Sequence, residues 1–414
     1  MTPTNLHLLE YVLVKVTSAA VSALLDRGNS CIPRIPLTKD TERKRRMKPT
    51  KALRFLAPLT ILAFLLPTTS WAQYMRTDLT SNQENVAPNV NPKLVNAWGL
   101  VQLGTSPVWL SDNGTGFSTL YKGSGLQLGL IVLVPGLGGA QGTPTGVVGN
   151  TGGSADFMFR NPANGKSGRA AFIFATLDGL IVAWNPQVGG TDQAGDSLAT
   201  IPEGFQPKPG ASYTGLAIAT NTQGQTFLYA ADDSTNSQVD MYDGSFHLVK
   251  SFTDPEIPRN FAPYGVQEID GPSGPQIWVT FTALNKAQGG FVDVFNTDGT
   301  VAQHFAVHGP LHSPWGIAKA PVDFGPMSGA ILISNNTSRG RVNAFDASGT
   351  FLGPLRDANG KAIEIDNLWG IQFGHDGGVA NGGPQGTPHN FLFFTAGPNS
   401  YADGLFGVIT PPGN

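Results

Sequence analysis

Pro314-Trp315-Gly316-Ile317-Ala318-Lys319-Ala320, then Ala330-Ile331-Leu332-Ile333-Ser334-Asn335, Arg341-Val342-Asn343-Ala344-Phe345 and Thr350-Phe351-Leu352-Gly353 read as four short strands in succession. Branched and aromatic residues dominate each run, and Asp346-Ala347-Ser348-Gly349 supplies a turn between the third and the fourth. The segment before it repeats the scheme. There the strands are Tyr264-Gly265-Val266-Gln267-Glu268, Gln276-Ile277-Trp278-Val279-Thr280, Gly290-Phe291-Val292-Asp293-Val294-Phe295 and Thr300-Val301-Ala302-Gln303-His304-Phe305.

Working outward, the cluster that opens each unit occurs six times, with glycines at 99, 146, 215, 265, 316 and 370. Their intervals of 47, 69, 50, 51 and 54 residues fall in the range of propeller blades. The third unit adds Gly215–Ala219, Phe227–Asp232 and Gln238–Tyr242. The second shows Ala171–Thr176 and Leu180–Trp184 clearly, whereas its first strand is weak because Gly149–Ser154 has little to bury. The first offers Trp109–Asp112, Ser118–Tyr121 and Leu128–Leu133. After Phe391–Thr395 and Leu405–Ile409 the last unit lacks a strand, and Tyr74–Leu79 is a strand with no unit of its own. Pairing the two closes a ring and covers an exposed edge. The expectation is an all-β, six-bladed β-propeller closed by its N- and C-terminal strands.

Pro314-Trp315-Gly316-Ile317, Ile331-Leu332-Ile333-Ser334-Asn335 and Gly340-Arg341-Val342-Asn343-Ala344-Phe345-Asp346 resemble the NHL repeat. Through Leu94-Val95-Asn96-Ala97-Trp98-Gly99, Ser111-Asp112-Asn113-Gly114-Thr115-Gly116, Ile173-Phe174-Ala175-Thr176, Gly290-Phe291-Val292-Asp293-Val294-Phe295 and Phe394-Thr395-Ala396-Gly397-Pro398, the chain from Gln73 onward is similar to a family of secreted bacterial six-bladed propellers with no assigned activity. The resemblance implies a fold and brings no catalytic residue.

The N-terminal part reads differently. Arg43-Lys44-Arg45-Arg46-Met47-Lys48, the apolar Phe55–Leu66 and Ser70-Trp71-Ala72 form a secretory signal over 47–72, cleaved after Ala72. Residues 1–46 read as an extension that is not native coding sequence or is removed with the signal, and 73–414 as a single propeller domain. The expected destination is secreted or periplasmic. Cys31 is the only cysteine, so the remaining chain relies on packing rather than disulfides. Residues 1–72 hold 11 of the 26 Lys and Arg and 4 of the 29 Asp and Glu, which leaves 15 against 25 and a net charge of −10. Nucleic acid is a poor partner for such a balance, and no remaining stretch is apolar enough for a membrane span. A monomer binding a protein, carbohydrate or other small molecule is expected.

Residues preceding the repeated glycines include Trp98, Tyr264, Trp315 and Trp369, an aromatic ring at the channel mouth that would stack on sugars or cage a cation. The plainer alternative is that these rings serve burial. Asp112, Asp232 and Asn335, with Thr176, follow the second strands and would converge on Ca²⁺ or a polar ligand, or else start turns through their side chains. Asp240, Asp293 and Asn343 recur on third strands and are expected on solvated faces. His304, His308 and His312 have a spacing that gathers ligands only on a helix, which the neighbouring prolines exclude. The leading expectation is a binding scaffold without catalysis and without a required cofactor. The alternative is a divalent-metal hydrolase, lactonase or lyase in the channel, weakened because Trp, Tyr and Thr stand where Glu, Asn and Asp ligands would; Asn96 and Asn367, two residues further out, would have to reach inward.

Overall fold

Strong strand formers in four-strand units need both faces covered, and a ring of units covers each one's faces with its neighbours. The computed structural model describes residues 73–192, 194–284, 289–376 and 386–413. The extension, signal and cleavage site expected within 1–72 lie outside them. Six sheets stand in a ring. Blade 1 comprises Ala97–Val101, Val108–Asp112, Phe117–Tyr121 and Gln127–Leu133, with the short strand Ser197–Leu198 added in parallel at its outer edge. Blade 2 comprises Pro144–Gly149, Phe172–Thr176 and Ile181–Trp184. Blades 3, 4 and 5 are four-stranded antiparallel sheets starting at Tyr213–Thr220, Phe261–Gly271 and Pro314–Lys319. Blade 6 comprises Leu368–Phe373, Leu392–Ala396 and Leu405–Thr410, and its outer strand is the N-terminal Met75–Ser81, antiparallel with Met75 opposite Thr410.

That closure is reinforced from the side. Tyr74, buried, donates its hydroxyl to Phe324 O (2.9 Å) and accepts from Met327 N (3.0 Å). Its neighbour Phe324 lies against the ring at 4.7 Å. The long interval in blade 2 has a local cause. Its first strand is the fully buried Pro144–Gly149, and the residues after it leave the blade to form the hairpin Met158–Arg160 and Ser167–Arg169 before Phe172 returns.

The repeated glycines set the ring's inner radius. A Cβ on Gly99 would stand 2.5 Å from Thr145 O, on Gly370 2.7 Å from Trp98 O, and on Gly316 2.9 Å from Trp369 O. On Gly265 it would overlap Trp315 O, and on Gly215 it would stand 3.1 Å from Tyr264 O. These five glycines therefore meet the backbone of the next blade just before that blade's own glycine, whereas Gly146 meets it just after, at Leu216 N. The ladder slips at this point in all six blades, which frees an amide. In three blades a second-strand hydroxyl receives it: Thr280 from Gly265 N (2.8 Å), Ser334 from Gly316 N (2.7 Å) and Thr395 from Gly370 N (3.0 Å). Ser334 and Thr395 then donate across the interface to Trp369 O (2.6 Å) and Trp98 O (2.5 Å).

Covering both faces also corrects one expectation. Asp240, Asp293 and Asn343 are buried rather than solvated. Period two is kept, but the second face of each blade meets a neighbouring blade instead of water.

Two changes test this construction. Gly316→Ala forces a methyl into packed backbone and should cost about 1–3 kcal/mol in denaturant unfolding. Deleting residues 73–82 should lower the melting temperature well below that of the full chain, since blade 6 then loses its outer strand and the ring its latch.

Candidate functional site

Trp98, Tyr264, Trp315 and Trp369 occupy the slipped positions just before their glycines, so their rings are thrown toward the axis. They meet one another there. Trp98 and Trp369 stack with centroids 3.6 Å apart, and Trp315 stands edge-on to both at 6.4 and 5.9 Å. Tyr264 lies 6.3 Å from Trp98 and 5.7 Å from Trp369. Trp98, Trp315 and Trp369 are 7%, 8% and 1% exposed, so this end of the channel is closed by a packed aromatic cluster. Two indoles are tied down: Trp315 Nε1 donates to Thr214 O (3.0 Å) and Trp369 Nε1 to Asn96 Oδ1 (2.9 Å). Tyr401 covers Trp369 from outside at 5.8 Å and donates to Asn336 Oδ1 (2.8 Å). Asn96 is thereby committed to holding an indole, and Asn367 donates to Gly397 O (3.1 Å).

Past the glycine waist the inner strands diverge, and the opposite end of the channel opens into a cavity of about 560 Å³. All six blades line it, each with residues that follow its repeated glycine. Leu100, Val147, Leu216, Ile317 and Ile371 form an apolar wall around Gln102, Gln267, Glu268, Asp270, Lys319, Gln372 and His375. Two of the amides are braced: Gln372 Oε1 accepts from Gln102 N (3.1 Å), and Gln102 Oε1 from His375 N (3.1 Å). Burial, reinforced by the Asp270 carboxylate, pushes Glu268 up to about 7. Desolvation pushes the His375 imidazole down, against the opposing pull of Asp376. Glu268 thus gains or loses its proton near neutrality, and the cavity offers acceptors, donors and one lysine charge around an apolar floor.

The remaining expected residues do not join the aromatic cluster. Asp112 is fully buried in blade 1, accepts from Thr119 Oγ1 (2.6 Å), and is held well above the carboxylate range by burial. Asp232 accepts from Ser234 N (3.1 Å) in its own turn and from Ser212 N (3.0 Å) just ahead of the adjoining strand, with Lys208 Nζ at 3.4 Å, and Thr176 accepts from Leu180 N (3.1 Å) in a turn. Asn335 accepts from His312 N (3.2 Å) and donates to Pro310 O (2.8 Å) beside a lateral cavity of about 530 Å³. Among the histidines, His308 packs edge-on to Phe291 at 4.6 Å, whereas His304 faces Asp293 and Asp254.

Glu268 was not singled out from the sequence. Glu268 had a readable signal, an acidic residue two positions beyond the strand's buried Val266, but only the ring shows that this strand end faces a cavity.

Because its folded pKa lies above the ordinary value, Glu268 binds its proton more tightly in the native state. Its contribution to stability is present at low pH and fades as pH rises through about 7. Glu268→Gln should therefore gain stability relative to the parent between pH 5 and 8, measured as a widening difference in melting temperature. Trp369→Ala, which empties the aromatic cluster, should cost about 3–5 kcal/mol and so reports on stability before it reports on binding.

No family model matches the chain. In overall trace it is similar to virginiamycin B lyase from Staphylococcus aureus (TM-score 0.44, 11% identity, 82% of this chain and 99% of that one). A streptogramin B lyase structure gives a TM-score of 0.44 with 12% identity over 83% of this chain and 99% of the other. Among sequences, uncharacterized protein L690 of Acanthamoeba polyphaga mimivirus is 28% identical over 346 residues, 80% of this chain and 84% of the relative. Uncharacterized protein R648 of the same virus is 30% identical over 348 residues, 80% of this chain and 78% of the relative. At 30% identity over 80% of its length, the chain belongs to one family with uncharacterized protein R648 of Acanthamoeba polyphaga mimivirus.

Proposed function

We propose that the chain is a secreted or periplasmic binding propeller, monomeric and without catalysis, that takes a polyhydroxylated small molecule of sugar size in the open end of its channel. The observation that carries this reading is the cavity of about 560 Å³ lined by every blade, with carboxylates, amides and a lysine set in an apolar wall. Amides donate and accept, carboxylates accept, and hydroxyl groups do both, so the lining complements a ligand rich in hydroxyls. The aromatic cluster closes the far end and makes the cavity blind. Secretion rests on the basic and apolar pattern of residues 43–72.

A channel metal hydrolase is less well supported. Among the described residues, the one group of three His, Cys, Asp or Glu side chains with converging ligand atoms is Asp254, Asp293 and His304, none of which lines the channel cavity.

Titration calorimetry with a panel of mono- and disaccharides tests the reading. Glu268→Ala and Lys319→Ala should weaken binding at least tenfold, while Tyr401→Ala, at the aromatic end, leaves it unchanged. The reverse pattern would move the site to the aromatic face carrying Tyr264 and Trp369, and a panel with no binder would overturn the carbohydrate assignment.

A further inference from the structure

Blades 3, 4 and 5 bury a polar side chain at one register position of the third strand: Asp240 opposite Ala230, Asp293 opposite Val279 and Asn343 opposite Ile333. In each case the segment arriving from the preceding blade meets it. Lys208 Nζ approaches Asp240 Oδ2 at 2.8 Å, and Pro310 O accepts from Asn343 Nδ2 at 3.0 Å. A cation answers an anion in blade 3, and two neutral groups pair in blade 5. In blade 4 the arriving residue is Asp254, a second carboxylate, and among the described residues the one basic group facing the pair is the imidazole of His304, the cross-strand partner of Asp293.

Both aspartates are sequestered, at 3% and 1% exposure, yet among the described residues Asp293 Oδ2 has no hydrogen-bond partner and Asp254 Oδ2 has only the His304 imidazole within reach. The other oxygen of Asp254 is occupied by Glu256 N (2.9 Å), which fixes the turn and aims Oδ2 at the cluster. His304 Nδ1 lies 3.0 Å from Asp254 Oδ2 and 3.4 Å from Asp293 Oδ1. Ligand atoms around a tetrahedral ion with bonds of about 2.0–2.1 Å stand roughly 3.3 Å apart, so these edges suit such an ion. The other ring nitrogen faces a carboxylate, Glu256 Oε2 at 3.5 Å, the arrangement that orients a metal-bound histidine from behind. His304 is half exposed, which leaves a path for the ion and a position for water.

We propose that Asp254, Asp293 and His304 form a binding site for a divalent ion of the zinc class, which ties the blade 3 to blade 4 connection to the outer hairpin of blade 4. Two carboxylates and one imidazole, with solvent in the fourth position, match that class better than Ca²⁺, which takes six to eight oxygens. The site is independent of the channel reading above.

The test uses the full chain, stripped with chelator and titrated with ZnCl₂. One Zn²⁺ should bind per chain and raise the melting temperature, since the folded state alone presents the ligands together. His304→Gln and Asp254→Asn should each weaken Zn²⁺ binding at least a hundredfold, and Glu256→Gln about tenfold, the usual effect of losing the group behind a ligand. His247→Gln, an exposed histidine elsewhere, should change nothing. His304 is a surface residue whose replacement leaves the core intact, so its variant keeps the test meaningful if an aspartate variant fails to fold. Absence of stoichiometric Zn²⁺ in the parent chain, or equal binding by the His304→Gln variant, overturns the proposal.

Discussion

At the channel waist, backbone meets backbone. Each repeated glycine lies against the chain of the next blade where a side chain would crowd a carbonyl or amide, and all six glycines sit at a slip in their own ladder. None of these six has a left-handed backbone; what they supply is space. The slip leaves an amide without its ladder partner, and Thr280, Ser334 and Thr395 take up that duty from the second strand. The inner radius, the number of blades that fit around it and the direction in which residues before and after the glycine point all follow from this contact.

The two channel ends differ for the same reason. On one side of the waist the slip throws the preceding side chain inward, and where that side chain is Trp or Tyr the rings meet and seal the axis. On the other side the strands resume a regular pleat and spread, so the side chains of six blades surround a space they do not fill. Burial without a hydrogen-bond partner is costly for a carboxylate, and Glu268 at the edge of that space responds by holding its proton more tightly.

A ring of sheets leaves neither face of a blade to water, so polar residues at the recurring third-strand position are forced into the protein. Their neighbours then decide their chemistry. Asp240 is held by Lys208, Tyr213 and Ser251, Asn343 by a carbonyl, and Asp293 by another acid and a histidine. One repeated position thus yields an ion pair, a neutral contact and a cluster short of positive charge.

Strands in blades 4 and 5 were legible almost residue by residue, because alternating branched and aromatic residues between turn signals need only local backbone geometry. The orphan strand near Tyr74 and the missing strand after Leu405 could be matched by counting alone. Blade 2 was harder, since the hairpin at Met158–Arg160 and Ser167–Arg169 hides its period and Pro144–Gly149 contains little that marks a strand. The four aromatics before the glycines could be named as one set from the sequence, but not that they would pack on each other.

What the chain's order of residues determined by itself was the repeat, the closure and the ring of small residues at its centre, all of which depend on neighbours in sequence or on a fixed period. Only the tertiary structure decided which end of the channel is open, that the third-strand polar residues are buried, and that Asp254 meets Asp293 and His304. Those outcomes depend on distances between segments from different blades, and such distances are set by how closely backbones pack around the axis rather than by any pattern along the chain.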